Sequence, residues 1–154
     1  MKPLYIFDLD GTVALIDHRR PVLNDKSDPD RWDKFHRLCV DDVPNAPVIA
    51  TLERLLWNGA DVWFFSGRSE DVRAETEAWI KANIVFPGWH LKTALVMRAS
   101  GDYTMDDELK ELWFDRMLDE DKQRLVAVFD DRDRVVNMWR RRGVACFQVA
   151  PGAF

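Results

Sequence analysis

The sequence is poor in cysteine, with only Cys39 and Cys146 among its 154 residues. Two cysteines cannot form the dense disulfide framework of a small secreted protein, and a chain of this length buries roughly 70% of its unfolded surface without one. Long hydrophobic runs are also lacking, because the apolar stretch before Asp8 is too short for a membrane span or a signal peptide. We therefore expect a cytoplasmic protein with reduced thiols and no membrane partner.

Internal repeats, low-complexity tracts and linkers rich in proline or glycine are absent too, which predicts a single domain over residues 1–154. Basic charge is not in excess either: 22 lysines and arginines against 27 aspartates and glutamates give a net charge of −5. This balance excludes a general nucleic-acid coat protein, but it is compatible with a local basic patch that binds a nucleic-acid end. None of the three histidines has the spacing of a metal ligand.

Apolar runs alternate with stretches of helical periodicity, which is the pattern of βαβ units around a parallel sheet. The expected strands are Leu4–Asp8, Asp61–Ser66, Ala94–Met97, Leu125–Asp130 and Val144–Val149. The expected helices are Pro47–Trp57, Glu70–Asn83, Met105–Leu118 and Arg132–Arg142. Because the strands are apolar on both faces, we predict an α/β fold with a doubly wound, five-stranded, Rossmann-like parallel sheet.

Residues 17–42 interrupt this alternation, because they are longer than an ordinary connection between a strand and its helix. They include a short helical pattern around Arg31–Val40, and we predict that residues 17–42 form a small cap insertion over one edge of the sheet. Its basic side chains include Arg19, Arg20, Arg31, Lys34 and Arg37. This pattern fits two interpretations equally well: a surface along which a polynucleotide backbone passes, or a solvated basic face. Trp32, Phe35 and Cys39 share one face of the helix, where packing onto the core is favoured over base stacking.

The motif Asp8-Leu9-Asp10-Gly11-Thr12 directly follows the first predicted strand. Two carboxylates two residues apart at a strand end can point into one crevice, and doubly wound sheets bind ligands beyond the carboxyl ends of their strands. Because two like charges are costly to bury together, a hard divalent cation is expected between them. The alternative is an acidic turn whose carboxylates only cap the next element.

Other strand ends carry polar groups that suit a phosphate site. The second predicted strand leads into Ser66-Gly67-Arg68, which offers a hydroxyl and backbone N–H groups to a phosphate. The fourth strand ends in Asp130-Asp131, which adds two carboxylates at the same edge. Lys110 lies in a helical stretch between them. Taken alone, Lys110 would be interpreted as a solvated lysine. Its position between the other motifs along the chain instead predicts that it belongs to the site.

This order of motifs resembles that of the haloacid dehalogenase superfamily: DxDGT, then Ser or Thr, then Lys, then an acidic pair. The resemblance implies a phosphatase in which Asp8 attacks phosphorus and becomes phosphorylated, while Asp10 acts first as general acid and then as base. It also implies that Ser66 and Lys110 hold the phosphoryl oxygens. The implied ligands of a Mg²⁺ cofactor are Asp8, Asp10 through its carbonyl, Asp130 and Asp131.

The end of the chain is similar to the 3′-phosphatase domains of the phage polynucleotide kinase–phosphatase family. The similarity is carried by Asp130-Asp131-Arg132, Val135-Val136, Met138-Trp139-Arg140-Arg141, Gly143-Val144 and Gln148-Val149-Ala150. The sequence has no GxxxxGK[ST] loop for ATP, so the resemblance implies the phosphatase half alone. The implied substrates are DNA or RNA ends that carry a 3′-phosphate. The predicted substrate-binding residues are Thr12, Gly67, Arg68 and Arg20.

Two other functions share these motifs. A nucleotidase or other small-molecule phosphatase of the same superfamily would have every catalytic residue and differ only in the insertion. A phosphorylatable receiver module also carries acids, Ser or Thr, and Lys on a doubly wound sheet, but its acidic pair precedes the phosphorylated aspartate. Here DxDGT comes first and the acidic pair comes last, which argues against a receiver.

Overall fold

A computed structural model describes residues 1–85 and 94–154 of the chain. Its strands are β1 (Leu4–Phe7), β2 (Ala14–Leu15), β3 (Val43–Pro44), β4 (Asp61–Ser69), β5 (Leu95–Arg98), β6 (Leu125–Asp130) and β7 (Cys146–Gln148). Its α-helices are α1 (Arg31–Arg37), α2 (Ala46–Trp57), α3 (Arg73–Asn83), α4 (Asp106–Arg116), α5 (Asp119–Arg124) and α6 (Asp133–Arg141). Short 3₁₀ turns cover Arg20–Asn24, Leu38–Asp41 and Glu70–Val72.

The main sheet has five strands in the order β5-β4-β1-β6-β7, and each neighbouring pair is parallel. The chain adds β4 and β5 on one side of β1 and then crosses to add β6 and β7 on the other. The direction of strand addition therefore reverses between β1 and β6, and doubly wound sheets bind ligands at this switch point. The predicted α/β class and the five-stranded doubly wound sheet are confirmed.

The central strand β1 is buried on both faces. Leu4 and Ile6 belong to an apolar cluster that includes Trp139 of α6, whereas Phe7 belongs to a second cluster that includes Leu52 of α2. Side chains alternate between the faces of a strand, so neighbouring residues of β1 serve different clusters. Burial of one such side chain stabilises the fold by about 1.5–3 kcal/mol. The helices on both faces thus hold β1 rigidly, and with it the acidic motif that follows.

Strand β4 extends beyond the end at Ser66 that the sequence predicted. Its pairing with β5 shifts register between Ser66 and Ser69, so Gly67 and Arg68 lie in a bulge. A bulge bends a strand locally and redirects its side chains. The bulge therefore redirects the side chain of Arg68. It lies at the same edge of the sheet as the acidic motifs.

Several other predicted boundaries also differ from the structure, and two of them have a clear reason. The helix predicted over Met105–Leu118 ends at Arg116, because Met117 takes extended backbone angles of φ −62° and ψ 147°. The last strand, predicted over Val144–Val149, is the shorter β7, because it pairs with β6 only over Cys146–Gln148.

The segment between β2 and β3 holds the residues that the sequence set apart from the sheet. β2 and β3 pair antiparallel and form a short ribbon, and α1 with two 3₁₀ turns lies between them. Phe35 and Cys39 are buried, as core packing requires, whereas Trp32 keeps 39% of its surface exposed. Among the described helices, none is long and apolar enough to cross a membrane.

Candidate active site

The carboxyl ends of β1 and β6 bring three carboxylates together. Asp8 follows β1, Asp130 ends β6, and Asp131 is next to it; one carboxylate oxygen of each lies within 4.8 Å of the others. The Nζ atom of Lys110, on α4, donates to Asp8 Oδ1 and to Asp130 Oδ2, both at 2.7 Å. Thr12 Oγ1 lies 3.4 Å from Asp8 Oδ2 and from Asp131 Oδ1. The structure therefore brings together predicted residues from three separate stretches of sequence.

The carboxylate cluster carries an excess of buried negative charge. Burial raises the pKa of Asp8 well above its usual value, although Lys110 acts in the opposite direction. Burial and the charge of Asp130 raise the pKa of Asp131 to about 6. Burial disfavours the charged form of Lys110, but Asp130 and Asp8 outweigh it and raise its pKa. One ammonium does not balance three carboxylates, and an all-oxygen donor set of this kind fits a hard divalent cation such as Mg²⁺.

The loop after β1 depends on Gly11. Its φ of +85° lies in the left-handed region, and a Cβ atom there would be 2.2 Å from Asp131 Oδ2. The loop is closed by hydrogen bonds to the carbonyl of Leu9 from the N–H groups of Thr12, Val13 and Ala14. A glycine at this position of the motif is thus what allows the first and last acidic motifs to approach each other.

Ser66 and Gly67 lie at the bulge of β4. Ser66 is fully buried, and its Oγ accepts a hydrogen bond from the backbone N–H of Arg68 at 3.2 Å. Gly67 lines the cavity over the carboxylate cluster, and a Cβ atom there would be 2.8 Å from Asp106 Oδ1. Contacts of Ser66 and Gly67 with a phosphoryl group stay a prediction.

The carboxylate of Asp10 is held by two arginines. Asp10 Oδ1 accepts hydrogen bonds from Arg19 Nη2 and Arg68 Nε, both at 2.7 Å. The same guanidinium groups donate to Asp42, from Arg19 Nε and Nη2 and from Arg68 Nη2, each at 2.7 Å. Arg19, Arg68 and Asp42 are buried. Two positive and two negative charges balance, which allows the network to lie inside the protein.

Two sequence predictions fail because of this network. Arg19 was expected on a basic surface that could follow a polynucleotide, but its side chain is fully buried. Arg68 was expected to bind substrate, but its side chain is also fully buried and donates to Asp10, Asp42 and Thr76. Neither guanidinium group can reach a substrate without breaking ion pairs in the interior. Both arginines instead position Asp10.

Asp42 is the residue of the site that the sequence did not reveal. It lies between a 3₁₀ turn and β3 and belongs to no motif. Besides the arginines, its Oδ1 lies 2.9 Å from Nε2 of His18, and its backbone carbonyl accepts a hydrogen bond from Nε1 of Trp79 at 2.9 Å. No sequence signal pointed to it, because its arginine partners are 23 and 26 residues away along the chain.

Replacing Asp42 with alanine should destabilise the fold by about 3–5 kcal/mol, because two buried arginines would then share the single carboxylate of Asp10. The free energy of unfolding in urea measures this loss. Asp28→Ala is the matched control, since Asp28 pairs with the exposed Lys34 at 2.6 Å in the same segment and its loss should destabilise the fold much less. Equal losses in the two variants would contradict a structural role for the buried network.

Most of the remaining basic residues of this segment do not face the site. Lys34 pairs with Asp28, and Arg31 donates to backbone carbonyls of its own segment. Arg20 is different, because its side chain lines the cavity and its nearest carboxylate, on the largely exposed Asp17, is 3.8 Å away. Arg20 is thus the cation of the predicted basic set that a bound ligand can reach.

A cavity of about 590 Å³ lies over the carboxylate cluster. Its floor is formed by Asp8, Asp10, Lys110, Asp130 and Asp131. Its apolar walls are formed by Ile16, Leu23, Trp32, Phe35, Tyr103, Met105 and Phe154. A volume of this size is in the range of pockets for small organic ligands, and the walls suit a ligand with an apolar or aromatic part next to its phosphate.

Asp106 joins two further arginines at the cavity wall. Its two carboxylate oxygens accept hydrogen bonds from Arg98 Nη2 and from Arg132 Nη1, both at 2.5 Å. Arg98 also donates from Nε to the carbonyl of Gly67 at 2.9 Å. These contacts tie the start of α4, which carries Lys110, to the ends of β4 and β6.

The same chain is similar to known proteins along almost its whole length. A family model of the phosphatase domain of polynucleotide kinase PNKP matches residues 2–154. A candidate bifunctional polynucleotide kinase/RNA ligase of Autographa californica nuclear polyhedrosis virus is 33% identical over 134 residues, which are 86% of this chain and 17% of that protein. A chain of the Pnkp1/Rnl/Hen1 RNA repair complex is 32% identical, with a TM-score of 0.75 over 99% of this chain and 44% of its own length.

A candidate phosphatase from Clostridium difficile has the same fold at 14% identity, with a TM-score of 0.62 over 96% of this chain and 84% of its own length. The chain therefore spans less than half the length of the viral relative and of the chain from the RNA repair complex. The match to the family model, in contrast, covers this chain from its second residue to its last. This chain belongs to the phosphatase domains of the polynucleotide kinase PNKP family, which are phosphatases of the haloacid dehalogenase type.

Proposed function

We propose that this protein is a magnesium-dependent phosphomonoesterase that removes 3′-phosphate groups from nucleic-acid ends through an aspartyl phosphate on Asp8. The observation that carries the proposal is the set of three buried carboxylates around Lys110. It lies at the switch point of the sheet, where such folds bind ligands, and on the floor of a cavity much larger than a phosphate group.

In the first half-reaction, a carboxylate oxygen of Asp8 attacks phosphorus. A bond forms between Asp8 and phosphorus while the bond between phosphorus and the leaving oxygen breaks. Mg²⁺ held by Asp8, Asp130, Asp131 and the carbonyl of Asp10 would supply positive charge against the phosphate dianion. Lys110 adds a second positive charge and fixes the orientation of Asp8 through their 2.7 Å contact. Asp10 gives a proton to the leaving oxygen.

In the second half-reaction, a water oxygen attacks phosphorus, the bond to Asp8 breaks, and inorganic phosphate is released. Asp10 takes the proton of this water and is thereby ready for the next leaving group. Burial opposes the ionisation of Asp10, but the charges of Arg68 and Arg19 outweigh it and hold its pKa well below the usual range. The arginines therefore favour the ionised form of Asp10, which is the form that accepts the proton of the water in this half-reaction.

The polynucleotide part of the proposal is supported by the family and by the cavity walls. The viral relative and the chain in the RNA repair complex carry names that refer to polynucleotide kinase and RNA repair. The walls present the aromatic side chains of Trp32 and Tyr103 and the guanidinium group of Arg20. Aromatic side chains beside a cation are the groups that bind single-stranded nucleic acid in other proteins.

Turnover is expected to require Mg²⁺ and to favour an oligonucleotide 3′-phosphate over its 5′-phosphate and over free mononucleotides. Phosphate release measured as kcat/KM on these substrates, at two salt concentrations, tests this preference. Contacts with a polynucleotide backbone weaken as salt rises, whereas hydrolysis of a mononucleotide should depend much less on salt. Mn²⁺ should replace Mg²⁺, and Ca²⁺ should bind but inhibit, because it accepts larger and irregular coordination.

p-Nitrophenyl phosphate separates the two parts of this proposal. Its hydrolysis with Mg²⁺, lost in excess chelator, tests the phosphatase site without any polynucleotide contact. Full activity in excess chelator would contradict the metal site. A preference for mononucleotides, with hydrolysis of p-nitrophenyl phosphate intact, would favour a nucleotidase that uses the same residues.

A further inference from the structure

The ring of Phe154 contacts two arginines at the edge of the cavity. The guanidinium carbon of Arg20 is 4.6 Å from the centre of the Phe154 ring, and that of Arg132 is 5.0 Å from it. Arg20 belongs to the segment between β2 and β3, whereas Arg132 directly precedes α6. All three side chains line the cavity. The ring therefore connects the segment that carries Arg20 to the loop that follows β6.

The position of Phe154 is fixed by the backbone that precedes it. Gly152 is buried, and a Cβ atom there would be 1.9 Å from the backbone oxygen of Asp131. The N–H group of Asp133 donates to the carbonyl of Gly152 at 2.9 Å. Gln148 adds a hydrogen bond from Nε2 to the backbone oxygen of Asp131 at 3.0 Å. The end of the chain is thus packed on the loop of the acidic pair, which places the ring at the site.

Arg20 has little besides this ring to fix its side chain. Within residues 1–85 and 94–154, its closest carboxylate is that of Asp17 at 3.8 Å, on a side chain that is 85% exposed. Arg132, the second arginine at the ring, is itself held by Asp106. A guanidinium group that stacks on an aromatic ring keeps the N–H donors in its plane free. Stacking on Phe154 therefore leaves Arg20 oriented and still able to donate to a phosphate.

We propose that Phe154 is a positioning residue for the polynucleotide substrate: its ring, supported by Arg132, orients Arg20 toward the sugar–phosphate backbone next to the 3′-phosphate. This inference rests on the proposed polynucleotide 3′-phosphatase function. Phe154 acts through Arg20 and does not touch the reacting atoms. Replacing Phe154 should therefore change the binding of oligonucleotides and the salt dependence of that binding, and not the chemistry at phosphorus.

Phe154→Leu removes the aromatic face and keeps most of the apolar volume. We expect KM for an oligonucleotide 3′-phosphate to rise about three- to fivefold, the size of a lost cation–π contact. The effect on KM for p-nitrophenyl phosphate should be clearly smaller. The slope of log KM against log salt should become shallower by up to about 0.7, the value of one phosphate contact to a single strand. Phe154→Trp should restore both values.

A double-mutant cycle with Arg20→Ala tests whether the ring acts through Arg20. The double variant should bind oligonucleotides no more weakly than Arg20→Ala alone, because the ring then has no side chain to orient. Phe147→Leu is the matched control, since it changes an exposed ring on β7 that does not line the cavity.

Three results would overturn the inference. If Phe154→Leu keeps the KM and salt slope of the wild type, the ring does not position anything. If the losses in the double variant add, the ring acts independently of Arg20. In both cases, the oligonucleotide preference of the wild type would leave the proposed function in place. A wild type that prefers mononucleotides over oligonucleotides would instead overturn the proposed function and this inference together.

Discussion

Asp8→Asn is expected to abolish turnover, with a loss of at least about 10⁴-fold in kcat on every substrate. Asparagine keeps the volume and the hydrogen-bonding shape of the side chain, but its amide is a poor nucleophile. The backbone of Asp8 should not move, because its N–H group donates to the carbonyl of Phe129 at 2.9 Å and β1 is held by strands on both sides. Single-turnover assays with p-nitrophenyl phosphate measure the loss without a requirement for polynucleotide binding.

The fold should survive this substitution, and the metal-free protein should be at least as stable as the wild type. Three buried carboxylates face one ammonium, so the loss of one negative charge relieves the repulsion of Asp8 by Asp130 and Asp131. Thermal unfolding in excess chelator measures this difference. Asp115→Asn, on the exposed face of α4, is the matched control and should keep full activity. Substantial turnover by Asp8→Asn in a clean preparation would exclude Asp8 as the nucleophile.

The meeting of the acidic motifs could be predicted because it follows from topology. Apolar runs identified the parallel strands, and the carboxyl ends of parallel strands lie at one edge of the sheet. Asp8 and Asp130 therefore had to lie near each other once their strands were recognised. Lys110 is harder to place, since a lysine on a helix is normally solvated, and only the order of the motifs pointed to its buried position.

The arginine network could not be predicted, because ion pairs between distant residues leave no periodic pattern in a sequence. Nothing in the sequence distinguishes Arg19 and Arg68 from solvated arginines. Their burial depends on Asp42, which is 23 residues from Arg19 and 26 from Arg68. The contact between the Phe154 ring and Arg20 could not be predicted for the same reason. Its partner Arg20 lies at the other end of the chain, and the close approach of Gly152 to Asp131 appears only in three dimensions.

The network changes what is expected of Asp10→Asn. As a general acid and base, Asp10 should contribute about 10²–10⁴ to the rate. Asp10 also shares Arg19 and Arg68 with Asp42, so the substitution removes charge from a buried network as well. A loss of turnover alone would therefore not distinguish proton transfer from positioning. The leaving group of the substrate makes the distinction.

In the first half-reaction, Asp10→Asn should react slowly with a 3′-phosphate end, because its alkoxide leaving group needs a proton. p-Nitrophenolate leaves without one, so the single-turnover loss should shrink strongly for p-nitrophenyl phosphate. The second half-reaction still lacks its base, so steady turnover should follow a rapid burst of about one nitrophenolate per enzyme. Asp42→Asn is the matched variant, because it perturbs the same arginines and should show neither the burst nor a dependence on the leaving group. An equal loss on both substrates in Asp10→Asn would mean that Asp10 supports the site only by holding Arg19 and Arg68.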